Sequence, residues 1–148
     1  MLLATLCYVK RDACTLMVYR NKKPNDIHEG KWNGLGGKFE AGETPEECVQ
    51  REVLEESAYR FVPRHLLGIY RWHSADSDTT YLRFAFTGEI NGFDPDRSLD
   101  TGIIQALWLT SDEIRATQAR HRSPLILRCV EDFLDNKRYP LDLLVHYE

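Results

Sequence analysis

No apolar run in this 148-residue chain approaches the length of a membrane helix. The longest, Leu2 to Val9, falls far short of the ~20 residues needed. That stretch also lacks a basic leader and a small-residue cleavage site, so no secretory signal is expected. Cys7, Cys14, Cys48 and Cys129 form no C-x-x-C pair and show no metal-ligand spacing. This argues against a disulfide framework and fits reduced thiols packed as small hydrophobes in a cytoplasmic protein. Basic residues are not in excess: 19 Lys+Arg stand against 23 Asp+Glu, a net charge of −4. A mildly acidic chain is a poor candidate for tracking a nucleic-acid backbone, which needs a basic face. Neither repeats nor a Pro/Gly/Ser linker divide it, and residues 1–148 are expected to form a single domain.

What is present is a sizeable core, with 43% hydrophobic and 11% aromatic residues. Leu2 to Lys10 and Ala13 to Arg20 read as strands, and the polar break Arg11-Asp12 suggests a hairpin between them. A polar stretch, Asn21 to Lys31, leads into Trp32-Asn33-Gly34-Leu35-Gly36-Gly37, backbone that must turn tightly or approach something closely. Thr44, Pro45 and Glu47 then spell a capping box with proline at the first helical position. The helix they open is expected to run to Ser57 or Ala58, with Val49, Val53 and Leu54 toward the core. Leu66 to Ser74, Thr79 to Ile90 and Ile103 to Leu109 read as further strands. Thr110-Ser111-Asp112-Glu113 repeats the capping pattern, and Ser123-Pro124 opens a helix with Leu127, Val130 and Leu134 at helical spacing. The tail, Tyr139 to Tyr147, suits a last strand or a docked extension. Paired strands separated by helices give an α+β class with a mixed sheet.

The chemistry concentrates between Gly37 and Ala58. Glu52, Glu55 and Glu56 fall within a helical arc of about 100°. Three carboxylates on one face repel one another unless solvated or neutralised by cations. Grouped hard oxygen donors suit Mg²⁺, with Mn²⁺ as the alternative. Arg51 sits beside this face, four residues from both Glu47 and Glu55, and Glu43 can reach it if the preceding loop folds back. A solvated acidic face with i,i+4 pairs would explain a lone E-x-x-E, but here the carboxylates follow a glycine turn able to present carbonyls beside them. Between Glu40 and Glu56 lie seven acidic residues and one basic, a local charge of −6 against +2 elsewhere. A small polyphosphate is excluded as ligand only when no metal is bound.

The full span resembles the signature of the Nudix hydrolases, the MutT-like family: G-x5-E-x7-R-E-U-x-E-E-x-G-U, with U a bulky aliphatic. Gly37, Glu43, Arg51, Glu52, Val53, Glu55 and Glu56 match it, while Ala58 and Tyr59 replace the closing glycine and aliphatic. The resemblance implies an α/β/α sandwich around a mixed sheet, with the motif as a loop–helix–loop. It also implies metal-dependent cleavage of phosphoanhydride bonds in substrates built on a nucleoside diphosphate. On that reading Glu52, Glu55, Glu56 and the Gly36 carbonyl hold metal, Glu52 also orients or deprotonates water, and Arg51 and Glu43 fix these groups in place. Many relatives add an acid from a loop before a Trp-ending strand. In front of Trp108 the alignment places Ile103, with Asp100 the nearest acid and Asp76 and Asp78 further candidates.

The implied partner is a small nucleoside polyphosphate or organic pyrophosphate, bound by a monomer or homodimer. Lys31 to Lys38 is similar to the oxidised-purine nucleoside triphosphatases (8-oxo-dGTP type), which makes Asn33 a base-edge candidate. Asn before glycines is equally a turn residue, and both readings stand. Arg20, Lys22, Lys23 and Lys38 are candidate phosphate contacts, each also explicable as solvated charge. The C-terminal half instead resembles a bacterial branch acting on nucleoside tri- and diphosphates and on the pyrimidine pyrophosphate of thiamine synthesis. Leu82-Arg83-Phe84, Arg122-Ser123-Pro124-Leu125 and Arg138-Tyr139-Pro140-Leu141 carry that likeness. Hydrolysis of ADP-ribose or nucleotide sugars, and a non-catalytic nucleotide-binding module of the same fold, are the competing expectations.

Overall fold

The computed structural model describes residues 1–20, 30–100 and 103–148, with the side chains at 18–20 and 104 outside that description. In chain order the elements begin with β1 (Leu2–Tyr8), β2 (Lys10–Arg11), β3 (Cys14–Arg20), β4 (Lys31–Asn33) and α1 (Pro45–Ser57). They continue with β5 (Tyr59–Ser74), β6 (Thr79–Phe93), β7 (Ile103–Thr110), α2 (Ser111–Ala116) and α3 (Leu125–Leu134).

Every residue from Ala4 to Tyr8 is buried, so β1 needs cover on both faces and neighbours on both edges. It pairs in parallel with β6, which pairs antiparallel with β5, giving the order β1-β6-β5. The glycine-containing loop runs along the other edge of β1 through bridges at Ala4–Lys38 and Cys7–Leu35. The expected hairpin between the first two strands shrinks to Lys10–Thr15 and Arg11–Cys14, because β1 peels away after Tyr8 to take its interior place. The second sheet sets β3 between β4 and β7.

The strand expected from Leu66 begins at Tyr59 instead, directly after α1. Its first half hides from a period-2 reading because the β5–β6 register shifts at Arg60/Phe61, Pro63/His65 and Leu66/Gly68. Pro63 further disguises it. Both capping boxes form, at Thr44 and Thr110. Helix α1 buries Val49 and Val53 against Leu16, Leu35, Phe61, Leu66 and Phe86, while Leu54 is only half-buried. The opposite side of the β1-β6-β5 sheet is covered by α3, whose buried stripe is Ile126, Cys129, Val130 and Phe133. That stripe is rotated from the expected one: Leu134 is exposed and Leu127 half-buried. The tail is a docked extension, exchanging backbone bonds between Tyr139 and Leu66 and making one 3₁₀ turn at Leu141–Leu143. Among the described residues no helix is long and apolar enough to cross a membrane.

Candidate active site

The site starts from backbone. Thr5 N–H donates to the Gly37 carbonyl (2.8 Å) and Cys7 N–H to the Leu35 carbonyl (2.7 Å), which leaves the intervening Gly36 peptide facing away from β1. Its N–H donates to Glu56 Oε1 at 2.7 Å, tying the loop to α1. Only glycine serves here: φ is +149°, and a Cβ would stand 2.0 Å from the Thr5 carbonyl oxygen. At Gly37 a Cβ would come within 2.4 Å of the Glu52 carboxyl carbon. The missing side chain is the space that the carboxylate occupies.

Arg51 organises the acids around it. Its Nε and Nη2 donate to the two oxygens of Glu43, and Nη1 donates to Glu52 Oε1 (2.8 Å) and Glu55 Oε2 (3.1 Å). Nη2 also reaches the Lys38 carbonyl at 3.2 Å, and Glu40 lies 3.7 Å from Nη1. The fork geometry of guanidinium makes this set directional in a way an ammonium would not. The hydrogen bonds to Glu43 and Glu52 hold the Arg51 guanidinium far above its usual range. The Arg51 bond in turn keeps the Glu43 carboxyl below its usual value. Glu52 behaves oppositely: burial pushes its carboxyl up, against the pull of Arg51.

A residue that sequence reasoning named without choosing joins them. Carboxylate oxygens of Glu52, Glu55 and Asp100 all lie within 4.8 Å of one another. The Asp100 N–H donates to the Glu55 carbonyl at 3.0 Å, which fastens its loop to α1. The approach is tertiary, so spacing alone could not single Asp100 out. Glu56, 5% exposed, stands apart from this trio at the Gly36 amide. Asn33 is buried on β4, with an Oδ1 that has no hydrogen-bond partner among the described residues. Lys38 is exposed at the edge of the loop. The side chain of Arg20, and all of Lys22 and Lys23, lie outside the described residues. Asp78 and His73 pair with each other at the β5–β6 turn, 3.3 Å apart, with Thr80 3.0 Å from the His73 ring.

Three clustered carboxylates beside a glycine loop form a set of hard donors with one arginine holding them, which suits a divalent cation. Comparison with known proteins agrees with that chemistry. A NUDIX domain model matches residues 2–129. The chain belongs to the Nudix hydrolase family. It is 45% identical to a Nudix hydrolase from Nitrosomonas europaea, whose structure aligns with a TM-score of 0.92 over 99% of this chain and 97% of that one. It is also 33% identical over 114 residues to Phosphatase NudJ of Escherichia coli (strain K12), spanning 76% of this chain and 72% of that protein. A MutT protein from Methanosarcina mazei Go1 shares the fold at 21% identity, with a TM-score of 0.71 over 93% of this chain and 96% of that one. As a Nudix enzyme the protein hydrolyses phosphoanhydride substrates, and enzymes of this family generally use a divalent metal. Its mixed sheet with few helices is the Nudix architecture.

Proposed function

We propose that this Nudix hydrolase is Mg²⁺-dependent and cleaves phosphoanhydride bonds of nucleoside tri- or diphosphates. The observation that carries the reading is the convergence of Glu52, Glu55 and Asp100 within 4.8 Å. These three, with Glu56 and the Gly36 carbonyl, are the groups that would hold the cation. When bound, Mg²⁺ polarises phosphoryl oxygens, lowers the pKa of water and offsets the charge of the polyphosphate.

The protein's own contribution is placement and proton handling. Arg51 donates to Glu43, Glu52 and Glu55 together, so each carboxylate keeps one orientation as charge enters the site. Glu52 sits in the gap left by Gly37, where burial raises its basicity and suits it to orient or deprotonate the attacking water. Lys38 is exposed beside the glycine loop and is available to phosphate.

The test is phosphate release from a panel of nucleoside tri- and diphosphates with Mg²⁺, repeated in EDTA and with Glu55→Gln. Turnover should need the metal and fall by about 100-fold or more in the variant, since even groups that merely support metal ligands are worth 10–100-fold. Full activity of Glu55→Gln would remove Glu55 from the site. A second reading, orthophosphate release from small organic pyrophosphates, is favoured by the likeness to Phosphatase NudJ. Product analysis separates the two: a nucleoside monophosphate with pyrophosphate marks one route, and stepwise orthophosphate marks the other.

A further inference from the structure

On the face of the β1-β6-β5 sheet opposite α1, a cavity of about 730 Å³ opens between the β5–β6 hairpin and the start of α3. The face follows from register. Thr5 contacts Cys48 of α1 (3.3 Å), so its neighbour Ala4 and Ala4's cross-strand partner Arg83 point the other way. Arg83 is 3% exposed and lines the cavity with Trp72, Tyr81, Lys31 and Ser123.

Burying a guanidinium is costly unless its charge and its five donors are answered. Arg83 has one hydrogen bond among the described residues, Nη1 to Ser123 Oγ at a long 3.4 Å. Its charge lies over the rings of Tyr81 (4.8 Å) and Trp72 (5.7 Å), a partial compensation. No carboxylate among the described residues pairs with it. The buried acid on this face, Asp132, already accepts from the Tyr70 hydroxyl (2.7 Å) and pairs with Arg128 and Lys137. The cavity is therefore walled by the buried Arg83 donors and by two stacked rings, Trp72 and Tyr81, 5.4 Å apart at 19°, with Asp76 and Glu131 also on its lining. A planar group carrying hydrogen-bond acceptors fits both the donors and the rings.

In the sheet, Ala4 of β1 lies between Arg83 and the glycine loop that packs beside the carboxylates. Arg83 is in register with Ala4, and Ala4 with Lys38, whose carbonyl accepts from Arg51. Two strand spacings, about 10 Å, separate the Arg83 and Lys38 backbones.

We propose that this cavity takes the base of the nucleoside polyphosphate, and that Arg83 makes it select bases with a keto oxygen at the purine 6 or pyrimidine 4 position, guanine and uracil, over adenine and cytosine, which carry an amino group there. This rests on the reading of the substrate as a nucleotide. Guanine offers O6 and N7 to a guanidinium fork and uracil offers O4, whereas the amino groups of adenine and cytosine set donor against donor. A site built to donate rejects such a ligand because its own buried group goes unanswered.

The experiment measures kcat/KM of the full chain with Mg²⁺ for GTP, UTP, ATP and CTP, and binding of GMP and AMP without metal by calorimetry. GTP and UTP should exceed ATP and CTP by about tenfold or more, and GMP should bind tighter than AMP by a similar factor. In Arg83→Gln, whose amide offers both a donor and an acceptor, both ratios should fall toward one. Equal turnover of all four nucleotides by the wild type would overturn the selection and leave nucleotide hydrolysis standing. No turnover of any of the four, with GMP still preferred over AMP, would overturn nucleotide hydrolysis and support the cavity's acceptor preference. GMP and AMP bound equally, or not at all, would overturn the assignment of the cavity. The wild-type panel decides these outcomes even if the variant fails to fold.

Discussion

Two arginines on opposite sides of one sheet are in contrasting circumstances. Arg51 is partly open to water and surrounded by carboxylates, with Glu43, Glu52 and Glu55 all accepting from it. Arg83 is almost wholly buried and, among the described residues, pairs with no acid, having two aromatic faces and a distant hydroxyl. The first cation is consumed in holding the protein's own groups in position. The second retains unanswered donors beside a cavity. The contrast separates a side chain that organises a site from one suited to reading what enters a site, although residue type and charge are identical.

Replacing each by methionine sharpens the comparison and gives the largest expected effect. In Arg51→Met the clustered carboxylates lose their shared donor, and stability measured by urea unfolding in EDTA should fall by about 2 kcal/mol. In Arg83→Met an unpaired buried charge gives way to an apolar chain of similar length, and stability should hold or rise. A loss in Arg83→Met as large as that in Arg51→Met would mean that the two cations do the same structural work.

The acid that Arg83 does not have supplies a smaller test. Asp132 is buried, which pushes its carboxyl up, but the bonds from Tyr70, Lys137 and Arg128 outweigh burial and hold it below its usual range. A carboxyl depressed in the folded state adds stability that is fully present above its unfolded value of 3.8. That stability drains away as pH falls through the lower folded value. Asp132→Asn should therefore cost about 1–2 kcal/mol near neutrality. Its stability curve should converge on that of wild type once pH falls below the lowered folded value. A difference that stays constant with pH would show that Asp132 is not held as a charged partner.

The two regions also differ in how far the sequence exposes them. The acidic site is largely local: Gly37, Glu43, Arg51, Glu52, Glu55 and Glu56 lie within one loop and one helix, where 3.6-residue geometry and a capping box place them almost without reference to the rest. Asp100 can be named from sequence but not chosen over Asp76 and Asp78, because it arrives through a loop bonded to the Glu55 carbonyl. The cavity is entirely tertiary, since Trp72, Arg83 and Ser123 meet only through β5–β6 register and the docking of α3. The same division holds for the fold. Helix starts were legible from Thr44 and Thr110, whereas the parallel β1–β6 pairing is a long-range event that local signals cannot announce. The misjudged stripe of α3 is an ambiguity of phase: Leu127 and Leu134 are as apolar as Ile126 and Phe133, and only the position of the sheet chooses between them.

The smallest expected effect lies at the end of α1, where the acidic region departs from its family pattern. Ala58 closes the helix in the left-handed conformation, φ 64°, with its N–H on the Leu54 carbonyl. Glycine adopts that conformation without steric penalty, whereas an L side chain meets a cost of about 1 kcal/mol. Ala58 is also buried, so removing its methyl forfeits part of that gain. Ala58→Gly should raise the urea-unfolding stability by less than about 1 kcal/mol and leave kcat/KM unchanged, because no carboxylate oxygen moves. A change in kcat/KM would show that the helix stop, together with the Asp94 N–H bonded to the Ala58 carbonyl, tunes the position of Glu55 and Glu56. The acidic region would then depend on long-range packing as much as the cavity does.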